Sequence, residues 1–230
     1  MGGHCNSDRF FGLYRYDCIL NSGYTVSMKL LLHGCCAPCS IQCVEAIAEE
    51  GIAPDLFWYN PNIHPFTEYR SRRDSFRLLA DKMGLALIEE DEYGLRAFIK
   101  GMPHLDDVNA GDAGQCKNGE GSRCAYCYRR RLEKAAAVAA EKGCDAYSTT
   151  LLISPYQNHY LIRETGEELA AIHHIDFYYR DFRPRFREGQ NRARAEGYYM
   201  QKYCGCIFSE EERYLEKRYL EKCGPETQGK

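Results

Sequence analysis

Eight of the 13 cysteines in this 230-residue chain fall into three short groups, and their spacing is the first sign of chemistry. Cys35 and Cys36 are adjacent, with Cys39 and Cys43 just behind them in HGCCAPCSIQC. Adjacent cysteines rarely bond to each other, because disulfide geometry is hard to meet across one peptide unit. Both can instead act as soft ligands to one metal or cluster. Cys124 and Cys127 form a C-x-x-C pair at the start of a predicted helix. That places two sulfurs on one side of a turn near the positive helix end, which predicts lowered thiol pKa values. The four thiolates Cys35, Cys36, Cys124 and Cys127 are enough for a [4Fe–4S] cluster or a structural zinc. Zinc is usually satisfied by two C-x-x-C knuckles, and here the first half is a C-C pair.

Cys204-Gly205-Cys206 is a separate signal. Two cysteines one residue apart can close a small strained disulfide ring, and the intervening glycine eases the backbone. Strained disulfides are the labile, catalytic kind. The competing reading makes the pair ligands to a second metal or to the cluster itself. Either way the pair reads as part of an electron relay.

Just before it, residues 178–203 hold six arginines and one lysine against three acids, interleaved with five tyrosines and two phenylalanines. Guanidinium groups suit phosphates, and rings suit unstacked bases, so the stretch has the makings of an RNA-facing surface centred on Arg183, Arg185 and Arg187. The plain alternative is a solvated charged face. Arg129 and Arg130, beside Cys127, extend the patch if the fold brings them together. His33, His64, His104, His173 and His174 each read more simply as structural histidines than as catalysts.

A formal net charge of −3 argues against coating nucleic acid by bulk electrostatics, though a local basic patch remains compatible with it. Residues 1–27 lack the uninterrupted apolar core of a secretion signal, and no stretch is long enough to span a membrane. Clustered cysteines in odd number then point to a reducing cytoplasm and to metal or redox chemistry, not a disulfide scaffold.

The elements that must position these thiols follow from apolar periodicity and punctuation. Residues 1–27 read as an N-terminal extension, partly disordered, and Met28 as an alternative start. Residues 28–230 read as a single α/β domain with a C-terminal helical segment. Strands are predicted at 29–33, 55–59, 85–88, 145–152 and 175–178. Helices are predicted at 40–50 (ended by Gly51), 67–83, 124–142 (ended by Gly143), 157–171 (broken near Gly166) and 209–222, the last opened by a Ser209/Glu212 capping box. Residues 101–123 read as a long functional loop. Strands alternating with helices imply a parallel sheet covered on both faces, with the Cys35–Cys36 loop at its carboxyl edge, where ligands bind.

The stretches LLHGCCAPCS (31–40), WYNPNIHPFTEYRSR (58–72), RCAYCYRRRL (123–132), STTLLISPYQN (148–158), DFRPRF (181–186) and YMQKYCGCIFSEEE (199–212) together resemble the QueH family of epoxyqueuosine reductases. The resemblance implies a Rossmann-like parallel sheet sandwich of the HUP class, related to PP-loop ATPases. It implies the reduction of epoxyqueuosine to queuosine at the wobble position of a tRNA anticodon, the last step of queuosine synthesis. It also implies Cys35, Cys36, Cys124 and Cys127 as iron–sulfur ligands and Cys204 with Cys206 as a redox-active disulfide, served by an unidentified electron donor. Some members of the family carry Asp where Cys39 stands and use that position on a second iron, so the departure leaves Cys39 open between that role and others.

Two rivals are weighed against it. A PP-loop-type ATP-dependent tRNA-modifying enzyme needs a glycine- and serine-rich phosphate loop after the first strand, and HGCCAPCS has none. A zinc-stapled RNA-binding module without catalysis needs only the four thiolates.

Overall fold

The computed structural model describes residues 28–102 and 122–222, with side chains placed for 28–102 and 123–215. The extension 1–27, His104 and most of the 101–123 stretch therefore lie outside the described residues.

Five strands form one all-parallel sheet: β1 (Leu30–Gly34), β2 (Asp55–Trp58), β3 (Leu87–Glu89), β4 (Ala146–Thr149) and β5 (Asp176–Phe177), in the order β3-β2-β1-β4-β5. β1 lies in the middle, with Leu30, Leu31 and Leu32 fully buried, as its unbroken apolar run requires for a strand covered on both faces. β1 pairs with β2 on one side and with β4 on the other. The order therefore reverses between β1 and β4, and a crevice opens there at the carboxyl ends of the strands. That crevice is where Cys35 emerges from β1 and Thr150 follows β4.

The helices are α1 (Ala37–Ala48), α2 (Phe66–Met83), α3 (Leu95–Gly101), α4 (Ser122–Glu141), α5 (His159–His173), α6 (Phe186–Ala195) and α7 (Ile207–Lys222), with short 3₁₀ turns at Thr150–Ile153 and Arg183–Arg185. The expected inward faces hold. Ile41, Val44, Ile47 and Ala48 of α1 and Phe76, Leu79, Ala80 and Met83 of α2 are buried.

Four expectations are corrected. α1 begins at Ala37, not residue 40, with Pro38 in its first turn, where a missing N–H costs nothing. Cys39 and Cys43 thus sit on the helix, and only Cys35 and Cys36 bridge strand and helix. α5 runs unbroken through Gly166, whose lack of a side chain admits the Phe177 ring: a Cβ there would fall 2.5 Å from it. α7 starts at Ile207, and no Ser209/Glu212 box forms. The Ser209 hydroxyl donates to the Cys206 carbonyl at 2.8 Å, and Glu212 takes Arg123 Nη2 at 2.6 Å. The arginine-rich stretch contains α6, a helix its polar composition concealed.

Candidate metal centre

Cys36 occupies the N-cap of α1 in extended backbone, and Cys39 follows three residues on, in the first turn. Residues three apart share a helix face, so the Cys39 sulfur comes back to the pair before it. The sulfurs of Cys35, Cys36 and Cys39 all lie within 4.8 Å of one another and are buried. Cys35 Sγ and Cys36 Sγ are 3.7 Å apart, a contact and not a bond. The adjacent thiols hold the Cys35 pKa well below its ordinary value and push that of Cys39 well above, while burial raises that of Cys36.

Gly34, the last residue of β1, is what lets the pair sit so deep. A Cβ at Gly34 would fall 2.4 Å from the Phe76 ring of α2. One residue earlier, His33 crosses the sheet: its Nε2–H donates to the Tyr59 carbonyl at 3.1 Å, and Nδ1 takes the Thr149 hydroxyl at 3.0 Å. Burial holds its pKa down at about 3, so it is neutral and structural.

Cys124 and Cys127 stand in the first turns of α4, outside the tight group of three sulfurs. Cys127 is buried against Phe98 and Met102, with Tyr126, Cys206 and Phe208 around them. The lowered pKa expected of a helix N-terminus is not seen there: burial raises Cys127 to about 12, outweighing the helix end. Arg131 connects the two halves. It is buried, its Nη1 points to Cys127 Sγ at 3.9 Å, and its Nη2 donates to Asn60 Oδ1 at 3.0 Å. The same side chain lines a cavity of about 270 Å³ together with Cys35, Cys39 and Cys204. Arg131 Nε is buried with no partner among the described residues.

These residues suit an iron–sulfur or other thiophilic centre. The donors are soft, two guanidinium groups (Arg72 and Arg131) are buried near them, and the orphaned Arg131 N–H offers the kind of outer hydrogen bond that tunes such centres.

The C-G-C segment is clamped by its backbone. Arg72 donates from Nη1 to the Cys204 carbonyl and from Nη2 to that of Tyr203, both at 2.8 Å. The His64 N–H donates to the Gly205 carbonyl at 2.8 Å. Gly205 has φ +147°, which favours glycine. Cys204 is exposed, Cys206 is half-buried, and Gln157 Nε2 lies 3.5 Å from Cys204 Sγ. The thiols of Cys204 and Cys206 are free. Sequence reasoning named the stretch containing Arg72 but gave that residue no role; its signal is a basic residue at an apolar helix position.

The arginine patch is largely ion-paired. Arg183 pairs with Asp181 (2.6 Å), Arg185 with Glu49 (2.5 Å) and Arg129 with Glu168 (2.8 Å). Arg130 and Arg187 are exposed and hold no salt bridge among the described residues. No helix among those residues is long and apolar enough to cross a membrane.

The family model described as "Epoxyqueuosine reductase QueH" matches residues 30–212. The chain is 39% identical over 186 residues to the epoxyqueuosine reductase QueH of Dehalococcoides mccartyi, covering 81% of this chain and 94% of that one. It is 36% identical over 189 residues to that of Acinetobacter baylyi (79% and 80%) and 33% identical over 187 residues to that of Thermotoga maritima (80% and 91%). Among solved structures, the U34-tRNA thiolase NcsA from Methanococcus maripaludis with its [4Fe-4S] cluster aligns at a TM-score of 0.45 and 13% identity, covering 91% of this chain and 72% of that one, a likeness too remote to bear on the site. With the match running from β1, through both cysteine pairs, into the second turn of α7, the chain belongs to the epoxyqueuosine reductase QueH family.

Proposed function

We propose that this chain reduces epoxyqueuosine at the wobble position of tRNA to queuosine, with a [4Fe–4S] cluster held by Cys35, Cys36, Cys124 and Cys127. The observation that carries the reading is that thiols from two distant segments, Cys35 and Cys39 after β1 and Cys204 before α7, line one cavity at the β1/β4 crevice. Turning an epoxide into an alkene consumes two electrons and two protons and releases the oxygen as water. A bound cluster would supply one-electron transfer there. Two thiols closing to a disulfide release two electrons and two protons, so Cys204 and Cys206 balance the reaction as a pair. Reduction by an electron donor of the cell then restores them. Arg72 and His64 hold the backbone of that pair in place through the turnover. Arg131 keeps a fixed positive charge beside Cys127 and the cavity, favouring thiolate in both halves. Cys39 is proposed as a ligand to a second iron, supported by its place in the group of three sulfurs.

The base must leave the anticodon loop to reach the crevice, as single-stranded RNA loops allow. Arg130 and Arg187 are proposed as phosphate contacts. Arg129, Arg183 and Arg185 join them at small cost, because exposed ion pairs exchange partners readily.

One observation favours the zinc reading: 3.7 Å between two sulfurs matches the edge of a tetrahedron about an ion with ~2.3 Å bonds, roughly 3.8 Å. Anaerobic purification separates the two. Iron and sulfide in the protein, broad absorbance near ~400 nm and turnover of epoxyqueuosine-containing tRNA support the reductase. A colourless protein with stoichiometric zinc and no turnover refutes it.

A further inference from the structure

The cavity that holds the thiols continues past them, and that part carries a second assignment, which rests on the function proposed above. At its mouth stands Tyr156, 69% exposed, in the turn between the Thr150–Ile153 3₁₀ segment and α5. Large aromatic side chains are seldom left so open. Its ring meets that of Phe186 at 84° with centroids 6.1 Å apart, so the two make a corner and not a closed stack. A planar group entering the cavity can lie against that corner.

Further in, two residues of the wall carry buried polar atoms that nothing among the described residues satisfies. Thr150 is 1% exposed, and its Oγ1 has no hydrogen-bond partner among the described residues. Gln201 donates from Nε2 to Cys39 Sγ at 3.3 Å, while its Oε1 is buried without a partner among the described residues. Both residues line the same cavity as Tyr156. An unsatisfied buried polar atom is costly, so two of them on residues that line one open cavity point to a hydroxylated or otherwise hydrogen-bonding guest. The volume, about 270 Å³, is just below the usual small-molecule range, which suits a single base and its substituent and not a run of nucleotides.

We propose that Tyr156 is the stacking platform for one extruded base, and that Thr150 and Gln201 bind the polar substituent which that base carries toward Cys35, Cys39 and Cys204. Selection of the modified nucleoside over an ordinary guanosine then resides in Thr150 and Gln201, because only the substituent reaches them. Phosphate contacts elsewhere give affinity without that choice.

The test uses anaerobically prepared, cluster-loaded enzyme and two forms of one tRNA, carrying either epoxyqueuosine or unmodified guanosine at the wobble position. Tyr156→Ala is expected to raise KM and the Kd for the epoxyqueuosine tRNA roughly 5- to 100-fold, the loss typical of one stacked base, with iron and sulfide content unchanged. Tyr156→Phe, which keeps the ring, recovers the affinity to within about threefold on the same basis. Thr150→Val narrows the Kd ratio between the two tRNAs by about tenfold, the scale of one buried hydrogen bond. Tyr160→Ala, an exposed aromatic that does not line the cavity, serves as the control and leaves that ratio alone. Equal Kd values for both tRNAs in the wild type, a Kd for the epoxyqueuosine tRNA unmoved by Tyr156→Ala, or a Kd ratio unmoved by Thr150→Val, overturns the assignment. Wild-type enzyme that binds the modified tRNA selectively but never reduces it overturns the proposed reaction and leaves the pocket standing.

Discussion

Replacing Arg72 with methionine tests whether the proposed redox pair, Cys204 and Cys206, is held by one buried cation. Arg72 is fully buried on α2, and its guanidinium serves the segment before α7 and the acid that faces it. Nε donates to Glu68 Oε1 at 2.6 Å, and Nη1 and Nη2 reach the Cys204 and Tyr203 carbonyls at 2.8 Å. The other Glu68 oxygen accepts the Tyr199 hydroxyl. Methionine has a similar length and no charge. It leaves Glu68, only 8% exposed, without a cation and strips two carbonyls of their donors. Breaking a buried ion pair costs about 3–5 kcal/mol, and most of the carbonyl loss falls within that figure because the methionine side chain regains apolar burial. Urea unfolding of the anaerobic protein at pH 7 should therefore show a loss of about 3–5 kcal/mol with an unchanged slope. The double variant Arg72→Met/Glu68→Gln removes the stranded charge and should recover about 1–2 kcal/mol of it. Both variants should retain iron yet turn over slowly, since the carbonyls flanking Cys204 are no longer fixed. A single-variant cost under about 1 kcal/mol, or a double variant no more stable than the single, would refute the reasoning.

Other perturbations follow from the same geometry. Gly34→Ala drives a Cβ to 2.4 Å from Phe76, so it should cost about 1–3 kcal/mol and lower bound iron, and Phe76→Leu in the same chain should restore both. Gly205→Ala places a side chain at φ +147°, 3.3 Å from Ile63; about 1–3 kcal/mol of stability and most of the turnover should go, with iron content kept. Cys206→Ala should keep iron and sulfide but abolish turnover, whereas Cys36→Ala or Cys124→Ala should lose the metal; normal turnover by the Cys206 variant ends the relay idea. Burial holds the His64 pKa at about 4, with Nε2–H donating to the Pro61 carbonyl at 3.0 Å and Nδ1 buried without a partner among the described residues. The unfolded chain takes that proton near pH 6.5 and the fold does not until about 4, so this contribution to stability is present above pH 6.5 and lost as pH falls toward 4. Urea midpoints at pH 7, 6 and 5 should therefore fall less steeply in His64→Asn than in the wild type.

What could be read ahead of the structure divides along physical lines. β1, α1, α2 and α4 were legible because their apolar residues alone fix period and burial, and glycines at 51, 84 and 143 with positive φ end the helices. α6 was not legible, because its buried face consists only of Gly189 and Ala193. Those small residues bring it against α1, where a Cβ on Gly189 would sit 3.1 Å from the Pro38 carbonyl. Its Arg192 pairs with Glu45, an acid distant in sequence, as well as with Glu196 one turn on. No window of sequence contains that information. The same holds within the site. The cysteine spacing marked the ligands to consider, and the helix spacing of Cys36 and Cys39 could have grouped those two sulfurs. The raised pKa of Cys127, in contrast, depends on Phe98 and Met102, contributed by another helix and its end.

The reversal point of a parallel sheet commonly binds phosphate, with a helix N-terminus supplying N–H groups. Here the same position is filled from within. Pro38, in the first turn of α1, has no N–H to give, and Cys36 and Cys39 occupy the space in front of that turn. The positive end of α1 therefore faces sulfur, and buried Arg72 and Arg131 add to the positive field from two other helices. Such a field stabilises thiolates and any anionic centre they hold, and it leaves a triphosphate without its donors. The purified protein should accordingly show no ATP turnover and no protection from urea by ATP. Stabilisation by ATP at millimolar concentration would mean that the crevice, despite its thiols, still works as a nucleotide site, and the reductase reading would then have to give way to the PP-loop alternative.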